Sequence, residues 1–195
     1  MLNNTLQEDL NRLNTYCDKW SMKLNPDKCR VIHYKAERNS INLDREYYLF
    51  NADGTHNKIQ KSELERDLGI MISSDLKWKH KTSHAINKAR SMIGKIRNSF
   101  KYFDDKIVKI IYPTFIRPHI EYAIQVWNPQ TKTEINKLER LQKKAIDLAT
   151  NLKSLSYEEK LNILGLTTHK LRRKRGDLIQ LYKIINDIEN MIYFE

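Results

Sequence analysis

The sequence predicts an α+β fold, a small β/α piece followed by an all-helical region, and three observations carry that prediction. Apolar residues recur at helical steps near the start, alternate as in strands between Lys28 and Ser73, and return to helical steps after Trp78. Turn-forming residues gather in the first part, at Asn25-Pro26-Asp27 and Asp53-Gly54. Residues 1–78 hold 12 Lys and Arg against 12 Asp and Glu, whereas residues 79–195 hold 23 against 12, so the whole net charge of +11 falls in the second part. The chain divides on these grounds into 1–78 and 79–195.

The first element is an amphipathic helix, because Leu2, Leu6, Leu10, Leu13, Cys17 and Trp20 recur every three or four residues on one face. Thr5 and Glu8 have capping-box spacing, which starts the helix at Thr5 and leaves Leu2 as a hydrophobic staple. Asn25-Pro26-Asp27 ends it in a turn. Lys28 to Tyr34 reads as a strand, with Cys29, Val31 and His33 on one side. A second strand is expected from Arg45 to Phe50, with Asp53-Gly54 closing a hairpin back through His56 to Ile59. A third spans Leu68 to Ser73, with Gly69 marking a bend or a close backbone approach.

Beyond Trp78 every element reads as helix. Ile86, Ala89, Ile93, Ile96 and Phe100 form one apolar stripe, with Lys88, Lys95 and Arg97 elsewhere on the surface. The next helix starts near Asp104, and Pro113 kinks or ends it near Tyr112. Leu138, Leu141, Ala145 and Leu148 line another, flanked by Lys137, Arg140, Lys143 and Lys144. A short helix over Tyr157 to Leu164 stops at Gly165. The last begins near Thr168 and runs through Leu171, Leu178, Leu181, Tyr182 and Ile185.

Composition excludes several classes. No apolar run approaches the roughly 20 residues that cross a bilayer, and the polar N-terminus lacks a secretion-signal layout. Cys17 and Cys29 read as small core residues in a reducing compartment, which places the chain inside the cell, nuclear or cytoplasmic. Basic excess confined to one region is the electrostatic footprint of a phosphate-binding surface, with solubility alone as the bland alternative. The run His169-Lys170-Leu171-Arg172-Arg173-Lys174-Arg175 is the strongest local signal, since three or four of its cations on one helix face can follow a phosphate backbone. Tyr102-Phe103-Asp104-Asp105 matches the string in which polymerases hold two metal ions. It lies between helical patterns, however, where Asp104 or Asp105 serves better as an N-cap. His80 and His84 sit four apart without the Glu of a zinc-protease motif. No Gly-rich phosphate loop, nucleophile elbow or converging carboxylate set is present, so the residues alone indicate neither an enzyme site nor a metal site.

Several strings, in order, resemble the reverse transcriptase of non-LTR retrotransposons of the LINE, jockey-like type. Leu6-Gln7-Glu8-Asp9-Leu10 and Trp20-Ser21-Met22-Lys23-Leu24-Asn25-Pro26-Asp27-Lys28-Cys29 resemble the helix and strand after that family's catalytic Asp-Asp turn. Glu65-Arg66-Asp67-Leu68-Gly69-Ile70 and Leu76-Lys77-Trp78 resemble its primer grip. Arg117-Pro118-His119-Ile120-Glu121-Tyr122-Ala123 with Val126-Trp127-Asn128-Pro129 resemble its thumb, as do Leu138 to Ala145 and Arg172 to Leu178.

The resemblance implies a palm remnant over 1–78 with a thumb-like region over 79–195, and partners that are an RNA template and an RNA–DNA or DNA primer duplex. It implies Mg²⁺ for the parent polymerase and no cofactor here, because the likeness begins after the catalytic aspartates. The chain alone is accordingly expected to bind nucleic acid and not to polymerise it, with the fingers and the rest of the palm as missing partners. By the same resemblance Lys28 takes a general-acid role, the alternative being a solvated lysine, and Leu68 and Gly69 place the primer end. Arg97, Arg117, Arg140, Lys143, Lys144, Arg172, Arg173 and Arg175 contact the duplex, with Arg117-Pro118 and Trp127-Asn128-Pro129 alternatively serving as fold-determining corners. Two other readings stand beside this one: a stand-alone, repurposed nucleic-acid-binding protein, and a basic helical protein-interaction module.

Overall fold

A computed structural model describes residues 5–34, 45–51, 54–129 and 131–189. The fold is α+β, and the chain forms two compact units, Met1–Lys77 and Trp78–Glu195. Among the described residues no helix is long and apolar enough to cross a membrane.

In the first unit, helix α1 (Thr5–Lys19) lies against strand β2 (Tyr48–Phe50). The side chain of Gln7 completes that contact. Its Nε2 donates to the Tyr48 carbonyl at 2.8 Å and its Oε1 accepts from the Tyr48 N–H at 2.9 Å, replacing the hydrogen bonds that a further strand would make. Asn14 likewise donates to the Phe50 carbonyl. A 3₁₀ turn over Pro26–Lys28 follows α1, and its N-cap Asn25 accepts from the Asp27 N–H at 2.9 Å. Strand β1 (Arg30–Val31) pairs in parallel with β4 (Gln60–Lys61), while β2 pairs antiparallel with β3 (His56–Lys58) in the register Tyr48 to Lys58 and Phe50 to His56. Strands β5 (Leu64–Asp67) and β6 (Ile70–Ser73) form a separate hairpin. Tyr47, Leu49 and Ile59 make the small core, packed by Leu10, Leu24, Cys29 and Val31.

Four expectations for this unit change, the first being that the strand expected from Arg45 to Phe50 covers only Tyr48–Phe50. The strand over Lys28 to Tyr34 shortens to Arg30–Val31, because Pro26 commits the chain to a helical turn that includes Lys28. The strand expected from Leu68 begins at Ile70, and Leu68-Gly69 are instead the two turn residues of a hairpin with β5. The α1 stripe is only partly covered: Cys17 is buried and Leu10 half-buried, but Leu6, Leu13 and Trp20 are exposed. Leu2 and Asp53, cited for the staple and the hairpin turn, lie outside the described residues.

The second unit is helical throughout. Helix α2 (Lys79–Ser99) buries Ala85, Ile86, Ala89, Ile93 and Ile96 against α4 (Arg117–Glu121) and α6 (Lys132–Ile146). Helix α3 (Asp105–Ile111) starts where the Asp104 carboxylate accepts from the Ile107 N–H at 2.8 Å. Pro113 has no N–H to give the helical ladder, and the chain widens into a π turn over Tyr112–Ile116 before α4 resumes. A short α5 (Ile124–Trp127) follows a left-handed Ala123. Helix α7 (Tyr157–Leu164) begins with a capping box between Ser156 and Glu159 and ends at Gly165, whose φ of 65° suits only glycine well. Helix α8 (His169–Ile185) is capped by Thr168. At the centre lie Trp127, Tyr112, Ile116, Ile120, Leu138 and Ile146, none more than 1% exposed.

Candidate nucleic-acid interface

Between Asp75 and Asp104 the chain carries eight Lys and Arg and no Asp or Glu, and most of that stretch is α2. At about 100° per residue, the helix turns its apolar stripe inward and a different set of residues outward. Ser83, Asn87, Ser91, Gly94 and Asn98 run along the middle of the outward face, and all are exposed. Lys88 and Lys95 stand on one flank of that ridge, and Lys79, Arg90 and Arg97 on the other, also exposed. Small polar residues flanked by two rows of cations let a polyanion approach the helix backbone while its charge is met on both sides. Gly94 sharpens the point. A Cβ placed there would meet nothing within 4 Å, as at Gly176 of α8, so no packing among the described residues requires glycine, although glycine inside a helix costs about 0.5–1 kcal/mol relative to alanine.

Helix α6 supplies a second basic face. Lys137, Arg140, Lys143 and Lys144 are exposed within about a third of its circumference. Its two carboxylates are withdrawn: Glu134 is buried, and half-buried Glu139 accepts from the Lys170 N–H at 2.5 Å and the Tyr157 hydroxyl at 3.2 Å. Burial first, and then Glu139, raises the Tyr157 phenol above its ordinary value, keeping it a neutral donor.

The basic run on α8 divides differently from the sequence expectation. Arg172 donates to Glu121 from Nε at 2.6 Å and from Nη2 at 3.1 Å, a two-point pair that Arg117 joins from Nε at 3.6 Å. Arg173 is 4% exposed and donates to Asn128 Oδ1 at 3.3 Å, while Asn128 donates to Asp177 at 2.7 Å. Arg172 and Arg173 therefore fasten α8 to α4 and to the Trp127-Asn128-Pro129 corner, and Arg173 has no surface to offer a phosphate. The reason is rotational: residues one apart on a helix point about 100° away from each other, so an unbroken basic run must send some members inward. Lys170, Lys174 and Arg175 remain exposed. His169, 1% exposed, has neither ring nitrogen hydrogen-bonded among the described groups. Burial first, then the nearby Arg173 and Arg172, hold its pKa down to about 4 against the opposing pull of Glu121.

Corner residues are structural in the same sense. Trp127 is fully buried with its indole donating to the Tyr122 carbonyl at 2.7 Å, and the buried Lys81 ammonium lies 5.3–5.4 Å from the Tyr122 and Trp127 ring centres. Trp78 packs against the helical core.

In the first unit, Lys28 is exposed and lines a polar cleft of about 360 Å³ with Arg30, Glu65, Arg66 and Asp67. Leu68 and Gly69 both have positive φ, 43° and 81°, which a two-residue hairpin turn of this kind requires. Leucine there is strained, and it is 82% exposed. The left-handed turn thus holds a large apolar side chain outward.

Comparison with protein-family models, curated proteins and solved structures found no match to this chain.

Among the described residues no three His, Cys, Asp or Glu side chains converge to hold a metal ion. Asp104 is the cap of α3, and Asp105 accepts from Asn151 Nδ2 at 2.8 Å, so the Tyr102-Phe103-Asp104-Asp105 string is committed to helix starts. Two-ion nucleotidyl transfer uses converging carboxylates, and these two are engaged by a helix N-terminus and by Asn151. Sequence reading named Arg97 on α2 but passed over Lys79, Lys88, Arg90 and Lys95 as interface residues. The carboxylate-free stretch from 76 to 103 was the signal that would have found them.

Proposed function

We propose that this chain is a nucleic-acid-binding piece of a non-LTR retrotransposon reverse transcriptase, whose helical unit grips a template–primer duplex through α2 and α6. The observation that carries this reading is the outward face of α2, a ridge of small polar residues with an otherwise unexplained Gly94 between two rows of cations. Such a surface meets phosphate and sugar and reads no base, so binding is salt-sensitive and nearly indifferent to sequence. The order of the family-like strings supports the same reading, and the strained, outward Leu68 fits the primer-end contact expected of it. Lys28, beside its cleft, is the candidate general acid of the parent enzyme. In this chain alone no primer is extended with Mg²⁺, and the site of action is inside the cell, nuclear or cytoplasmic.

The test is a pair of substitutions at one residue. Gly94→Ala should raise the unfolding midpoint, because alanine is the better helix former by about 0.5–1 kcal/mol. Gly94→Gln should likewise leave the fold at least as stable but weaken binding to a labelled RNA–DNA duplex about tenfold or more, by filling the ridge. Equal affinity of Gly94→Gln and the unaltered chain would remove α2 from the interface.

A further inference from the structure

The last helix presents its apolar side to solvent. Leu171, Leu178, Leu181 and Ile185 follow one another at steps of seven, three and four, with Lys174 filling the gap, and all five are exposed. The opposite side of α8, through His169 and Arg173, faces the unit's own core. A seam of alternating three- and four-residue steps is the pattern by which one helix pairs lengthwise with another, and the described residues leave this seam exposed.

We propose that two copies of this chain pair through α8, antiparallel, about a two-fold axis between Leu178 and Leu181. Charge decides both occupant and direction. The exposed cations Lys170, Lys174 and Arg175 gather at the start of α8, and the exposed carboxylates Asp187 and Glu189 lie in the turn just after it. Parallel copies would set Lys174 against Lys174. Antiparallel copies set Leu178 against Leu181, lay the Lys174 stem along Ile185, and bring Lys170 beside the partner copy's acidic turn. Glu189 is held in position by Lys183 of its own chain at 2.6 Å, which offsets part of its charge, so the exposed Asp187 carries much of the attraction for Lys170. The four apolar seam residues are 51–70% exposed, so pairing covers at most on the order of 600 Å² per copy, below the roughly 800 Å² per partner of stable interfaces. The association is therefore of modest affinity and depends on concentration.

Analytical ultracentrifugation of the full chain, nuclease-treated and free of nucleic acid, from about 1 to about 100 µM tests this. A monomer–dimer equilibrium within that range is expected. The double variant Leu178→Glu with Leu181→Glu should be monomeric throughout, with unchanged helix content, because neither side chain contributes to the core. Lys170→Glu and Glu189→Lys should each weaken dimerisation about fivefold through the two symmetry-related pairs, and combining them should restore it. A monomer at the highest concentration, or a dimer that survives Leu178→Glu with Leu181→Glu, would overturn the proposal. Failure of the combined charge swap to recover affinity would overturn the antiparallel direction.

Discussion

Lowering the pH from about 7.5 to about 4.5 should remove roughly 2.5 kcal/mol of stability from the helical unit through His169 alone. His169 is the first residue of α8, 1% exposed, beside two arginines. Its protonation is opposed chiefly by burial and then by Arg173 and Arg172, which together depress the pKa from 6.5 to about 4, with Glu121 pulling the other way. Between those two values the unfolded chain binds a proton that the folded chain refuses. The unfolded state then holds more protons, so stability rises with pH across the window and is lost as pH falls through it. The full difference, reached below the folded value, is roughly 3 kcal/mol. Urea unfolding followed by the emission of buried Trp127 measures this at a series of pH values. The comparison is His169→Phe, which keeps an aromatic ring and cannot titrate. Its stability should lack the extra slope between about pH 6.5 and pH 4 even if its absolute stability differs. The same slope in both proteins, or a stability that rises on acidification, would refute the account of this core.

Arg172→Ala should destabilise the helical unit by about 1–2 kcal/mol, because it leaves the half-buried Glu121 carboxylate with only the longer Arg117 contact at 3.6 Å. Adding Glu121→Gln to it should recover part of that loss, which thermal unfolding of both variants would show. Leu68→Asn should stabilise the β5–β6 hairpin by about 1 kcal/mol, since asparagine tolerates positive φ and no buried contact is given up. Hydrogen exchange of the β6 amides is the readout, and faster exchange in the variant would show that Leu68 packs on the fold. If Leu68 also touches the primer end, the same variant should lower duplex affinity while stabilising the hairpin.

Helical periodicity was the most legible signal in the sequence. The stripe through Ile86, Ala89, Ile93 and Ile96, the break at Pro113, the stop at Gly165 and the Thr168 start all stand where the pattern put them. Each rests on local physics, namely residue spacing, a missing N–H, a left-handed cap and a hydroxyl cap. Phe100 departs from its stripe, since the helix ends one residue earlier. The β part was less legible because its ladders are two to four residues long and nothing local fixes their partners. Strand β5, Leu64–Asp67, receives no element from its pattern, because its alternation is masked by charge and its partner β6 is not a local signal. The candidate interface was legible in charge and not in direction. Arg172 and Arg173 read as surface cations because the sequence does not show that Glu121 and Asn128 lie opposite them. On α8, the apolar residues Leu171, Leu178, Leu181 and Ile185 are outward, and the polar pair His169 and Arg173 is inward.

The central claim is that α2 and α6 hold a nucleic-acid backbone by charge, and its most direct test is the salt dependence of duplex binding. Affinity for a labelled RNA–DNA duplex should be measured across potassium concentrations for the unaltered chain, Lys88→Ala with Lys95→Ala, Arg90→Ala with Arg97→Ala, and Arg140→Ala with Lys144→Ala. The account predicts a steep negative slope of log affinity against log salt, made shallower by up to about 1.8 in each double variant as two phosphate contacts are lost. It also predicts nearly the same affinity for duplexes of unrelated sequence. Binding with no salt dependence, or slopes unchanged in all three variants, would contradict it.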